Sequence, residues 1–129
     1  SNNFYINNYV LTISEPWEFV NNCGEGPFNI RIIRIGNVGN SNSERLLLKL
    51  EKPLLYQNVE CEYFIGSPRS EIDSISNLLN NKEVNFNLVR IPVDRAISQN
   101  PFDLNWWRGG IALIGTLRKD RKEKGRQTM

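Results

Sequence analysis

The chain has no histidine, only two cysteines and a single methionine among its 129 residues. Without histidine there is no Ser-His-Asp or Cys-His arrangement, no base that titrates near neutrality unaided, and no imidazole ligand for a metal. Cys23 and Cys61 are too few for the disulfide framework of a small secreted domain, and they lack the paired spacing of a zinc site. Reduced structural thiols are the expectation, and with them a cytoplasmic location. No apolar run exceeds the four residues Ile111 to Ile114, far short of the roughly 20 that a membrane-spanning helix needs. There is no Asn-x-Ser/Thr glycosylation signal, no G-x-x-x-x-G-K-Ser/Thr phosphate loop and no G-x-S-x-G nucleophile turn. No cofactor and no metal are expected.

What is present is the composition of one globular domain, 40% hydrophobic and 23% charged, with a net charge of +2. That total conceals an asymmetry. Residues 118–129 carry six basic and two acidic side chains, +4, whereas 1–117 carry ten basic and twelve acidic, −2. The division predicts a mildly acidic globular body over 1–117 and a basic, flexible tail over 118–129.

Asparagine occurs 18 times and clusters between apolar segments, where it suits turns and left-handed backbone. Between those clusters the hydrophobic period is two, the spacing of strands. Tyr9, Leu11 and Ile13 alternate with Val10, Thr12 and Ser14 until Pro16 breaks or bends the segment. Phe28, Ile30 and Ile32 share one phase, whereas Ile33 and Ile35 take the other, which signals a bulge or a strand covered on both faces. Leu46, Leu48 and Leu50 define a strand over 45–51, with a bend over 54–58 after Pro53. Val59, Cys61, Tyr63 and Ile65 form the next, with Cys61 inward. Ser70 to Asn81 changes period, with Ile72, Ile75, Leu78 and Leu79 on one helical face and Ser70 with Asp73 as a capping box. Val84, Phe86 and Leu88 alternate again. A long loop over about 92–110 follows, with a helical turn near Val93 to Ser98, and Ile111 to Leu117 resembles a strand covered on both sides. The fold class expected is α+β, mostly β. About six largely antiparallel strands should form a curved sheet or half-barrel, with one short helix over about 70–81.

Each patch of possible chemistry has a plain structural explanation beside it. Glu60 and Glu62 lie two apart on one strand face, roughly 7 Å apart, a separation that suits paired carboxylates, but a solvated outer face needs the same residues. Gly66-Ser67-Pro68-Arg69-Ser70 sits where a strand leads into a helix and reads as a turn, with Arg69 placed to contact an anion or a partner. Gly36-Asn37-Val38-Gly39 and Gly24-Glu25-Gly26 read as turns. The segment Pro101 to Gly110 is the most unusual: Trp106 and Trp107 are adjacent, so in extended chain one must face outward, beside Arg108 and near Asp103. Tryptophan and arginine dominate binding hot spots, and loops are where binding residues concentrate.

These features favour a non-enzymatic protein-binding domain of the kind represented by bacterial immunity proteins and antitoxin-like inhibitors, which block a toxin by occupying its surface. Trp106, Trp107, Arg108, Asp103, Glu60, Glu62 and Arg69 are the expected partner-contacting residues. The acidic body would suit a basic, nuclease-like partner by charge complementarity. The alternative is a nucleic-acid-binding or accessory domain that uses the basic tail together with Arg31, Arg34 and Trp107. It is disfavoured by the acidic body and by a tail with no aromatic residue to stack on bases.

Overall fold

The alternating segments become six strands in the computed structural model, which describes residues 8–37, 44–70, 74–102 and 110–120. They are β1 (Tyr9–Glu15), β2 (Phe28–Asn37), β3 (Glu44–Tyr56), β4 (Val59–Pro68), β5 (Val84–Ile91) and β6 (Ala112–Lys119). Three short helices interrupt them: α1 (Trp17–Cys23), α2 (Ile75–Leu79) and α3 (Val93–Ala96). Each strand pairs antiparallel with its successor, and β6 returns to pair with β1, so the expected curved sheet closes completely into a barrel. Closure gives every strand two neighbours and removes the polar edges an open sheet would have needed.

The inward phase of each strand fills the barrel. Leu11, Ile13, Ile30, Ile32, Leu46, Leu48, Leu50, Cys61, Phe64, Val84, Phe86, Leu88, Leu113 and Leu117 are all buried in one cluster, and no charged residue is buried among the described residues. The double phase of β2 resolves as a bulge. Pairing with β3 shifts between Ile32 and Arg34, so Ile35 returns to the inner cluster while Ile33 packs outside. At Gly115 a Cβ would lie 2.6 Å from the Thr12 carbonyl oxygen, so only glycine lets β1 and β6 approach this closely.

Several boundaries differ from expectation. β3 does not bend after Pro53 but runs on to Tyr56, and only Gln57 and Asn58 form the turn, with φ of 54° and 62°. Proline is tolerated because the β3–β4 register is already interrupted between Lys49 and Leu54, where no ladder bond is lost. Pro16 starts α1 rather than merely bending the chain. The helix buries Phe19 against Tyr56, ring centroids 4.8 Å apart, and stops at Gly24, whose N–H donates to the Val20 carbonyl at 2.8 Å. The helix expected over 70–81 is described only as α2. Ser74, not Ser70, caps it by accepting from the Asn77 N–H at 3.3 Å, and residues 71–73 lie outside the described set.

Gly66, Ser67 and Pro68 are strand, paired with Leu88, Asn87 and Phe86, and Gly36 and Asn37 continue β2 opposite Arg45 and Glu44. β6 is not covered on both sides: Leu113, Gly115 and Leu117 face inward, while Ala112 is exposed and Ile114 and Thr116 are half-buried. It also extends beyond 117. Arg118 and Lys119 pair with Val10 and Tyr9, and the Asp120 N–H donates to the Asn8 carbonyl at 2.9 Å, so the first two cations of the basic segment belong to the barrel. Residues 121–129 lie outside the described set. Among the described residues no helix is long and apolar enough to cross a membrane.

Candidate functional site

A second apolar cluster sits on the outside of the barrel. Leu47, Ile65 and Ile91 project outward from β3, β4 and β5, where water would otherwise meet them, and Ala96 and Phe102 cover them, with Ile33 and Tyr63 at the margin. The first half of the long loop is therefore fastened to the wall. Pro92 begins α3 with φ −71°, the value proline imposes, and the Ala96 N–H donates to the Pro92 carbonyl at 3.0 Å. Phe102 seats over Gly36, where a Cβ would come 2.5 Å from its ring. The Arg34 guanidinium lies 5.8 Å from the same ring centroid and donates from Nη1 to the Ser98 carbonyl at 3.2 Å. Arg34 is thus committed to holding the loop and does not join Arg31 in a phosphate-binding patch.

Fastening one side of α3 leaves the other in solvent. Val93 and Ile97, one helical turn apart, are 55% and 75% exposed. Their i, i+4 spacing was legible in the sequence. Which side the barrel would cover was not, because that depends on the outward residues of three distant strands.

Lys49 connects this wall to a charged cleft of about 540 Å³ lined by Asn29, Arg31, Lys49, Glu51, Glu62 and Asp120. Its Nζ is 5.7 Å from the Tyr63 ring centroid and 3.9 Å from Glu62 Oε2. That ion pair is partly solvated and is worth about 0–1 kcal/mol.

The sequence-derived contact residues are not gathered into one place. Glu62 lines the cleft. Glu60 is exposed, and its backbone carbonyl accepts from Arg90 Nε at 3.1 Å. Arg69 is exposed just past the far end of β4, its N–H donating to the Asn85 carbonyl at 3.0 Å, and seven residues of extended chain put it ~23 Å from Glu62. Asp103, Trp106, Trp107 and Arg108 lie outside the described residues. Val93, Ile97, Lys49 and Glu51 were not anticipated as contact residues, and Arg31 only in the nucleic-acid alternative.

Titratable groups near the core are quiet. Burial pushes the Cys61 thiol up, with Arg90 opposing, and burial likewise raises Cys23. Both sulfurs donate to carbonyls, Cys23 to Leu55 at 3.4 Å and Cys61 to Val59 at 3.7 Å, so neither is poised as a thiolate. Burial and the Glu18 carboxylate, 3.3 Å from its hydroxyl, raise Tyr56. Among the described residues no group of three or more potential metal ligands occurs. Comparison with protein-family models, with curated proteins and with solved structures returned no match.

Proposed function

We propose that this protein is a non-enzymatic binding domain that occludes a partner protein, in the manner of a bacterial immunity protein or antitoxin-like inhibitor acting on a nuclease-like toxin in the cytoplasm. The observation that carries this reading is the loop platform. A segment that could have been a loose connection is fastened by Phe102, Ala96 and Arg34, and it presents Val93 and Ile97 outward. Pre-ordered apolar side chains on a rigid support lose little entropy on binding, which is how a small surface becomes a hot spot. Trp106, Trp107 and Arg108 follow in the same segment and extend the reading by residue type alone. The carboxylates of Glu25, Glu60 and Glu62 suit a basic partner, chiefly by speeding encounter. Free thiols at Cys23 and Cys61 suit a reducing compartment.

The test begins with co-purification from the native cell, followed by reconstitution from purified components and calorimetry. Val93→Asp and Ile97→Asp should each weaken the reconstituted complex by about 1–4 kcal/mol, as should Trp107→Ala and Arg108→Ala. A chain that always purifies alone would overturn the reading. So would a complex whose affinity is indifferent to both loop substitutions in α3.

A further inference from the structure

The charged cleft has a chemistry that the loop platform does not use. Arg31 and Lys49 are register partners on β2 and β3, and Glu51 stands two residues along β3 on the same outward phase. Lys49 is engaged with Glu62. The side chains of Arg31 and Glu51 are exposed and make no ion pair or hydrogen bond among the described residues, although they line one cleft. An unpaired cation and an unpaired anion thus stand on diagonal positions of adjacent strands, about 7–8 Å apart at the backbone.

That pattern selects against ligands of a single charge. A simple anion attracted to Arg31 and Lys49 also meets Glu51, Glu62 and Asp120, and a simple cation meets the reverse. A molecule carrying both signs satisfies both ends. We propose that the cleft binds a zwitterion of dipeptide size, its carboxylate on the Arg31 guanidinium and its ammonium on the Glu51 carboxylate. Arginine offers a planar fork that matches a carboxylate, and such charge-assisted bonds are stronger than neutral ones. The charges of a free α-amino acid are separated by one carbon, which is short for bridging two groups that make no ion pair with each other, whereas an extended dipeptide spans about 7 Å. A cleft of about 540 Å³ holds such a ligand with room to spare. This site stands independently of the protein-binding reading.

The test is an amide chemical-shift titration of the full chain with glycylglycine as probe. Saturable shifts are expected at Asn29 to Arg31 and Lys49 to Glu51, with half-saturation at ~1 mM. Arg31→Met and Glu51→Gln, both at exposed positions and checked for a retained dispersed spectrum, should each raise the half-saturation concentration about tenfold. Lys82→Met, at an exposed position outside the cleft, should leave it unchanged. Acetate and glycine should bind at least tenfold more weakly than the dipeptide. The proposal is overturned if glycylglycine gives no saturable shift, if acetate or glycine matches it, or if Arg31→Met binds as the wild type does.

Discussion

Tyr9 is fully buried, and its hydroxyl finds no hydrogen-bond partner among the described residues. An unsatisfied buried hydroxyl costs about 1–3 kcal/mol, so the ring is retained for its packing and the oxygen is a burden. Tyr9→Phe is expected to raise stability by about 1 kcal/mol in denaturant unfolding, and a comparable loss would show that the hydroxyl has a partner. The same burial pushes the Tyr9 pKa up to about 12 from 10.0. Below pH 10 the hydroxyl is protonated in both states and adds no pH dependence. Between pH 10 and about 12 the unfolded chain releases its proton while the native chain keeps it, so stability falls as pH rises. Unfolding curves over that window should lose on the order of 2 kcal/mol more in the wild type than in Tyr9→Phe. The inward direction of Tyr9 and Cys61 follows from alternation and was legible. The lack of a partner for the hydroxyl among the described residues was not, since it depends on what the other strands place around it.

At the scale of elements, the loop over 92–102 behaves as part of the wall. Phe102→Ala removes the ring that seats over Gly36 and covers Leu47, Ile65 and Ile91, and it should cost about 3 kcal/mol. Val93→Asp and Ile97→Asp change mostly solvent-facing atoms and should stay within about 0.5 kcal/mol of wild type in stability. The contrast separates what fastens the loop from what it presents, and it makes the binding test interpretable. α2 depends on Ser74, and Ser74→Ala should lower stability by about 1 kcal/mol through loss of the cap. Sequence alone pointed to Ser70, because Ser70 with Asp73 resembles a capping box. Only the packing of Ile75 and Leu78 on the barrel decides which turn is helical. Pro53 misled for a related reason. Its missing N–H argues against a strand, unless the ladder is already interrupted at that point.

For the whole molecule the decisive contact is β6 with β1, because it turns a sheet into a barrel. A chain ending at Leu117 loses the Tyr9–Lys119 and Val10–Arg118 pairs and the Asp120 bond to Asn8, and its stability should fall by roughly 2–4 kcal/mol, at about 1 kcal/mol per hydrogen bond. A chain ending at Asp120 keeps these pairs and should lose less stability than one ending at Leu117, and equal losses in the two would mean that closure does not depend on these residues. Much of this was settled by the linear pattern. Period-two alternation indicated the six strands and the inward faces of β1, β3 and β5, and the absence of histidine removed imidazole chemistry. On β4 the alternation placed Tyr63 and Ile65 with Cys61, whereas the structure turns both outward and Phe64 inward. Closure, the outer cluster and the charged cleft were decided only in three dimensions. An inward leucine looks the same in an open sheet and in a barrel. The placing of Arg31 and Glu51 in one cleft, or of Phe102 over Gly36, is fixed by strand register and curvature, which no local periodicity encodes.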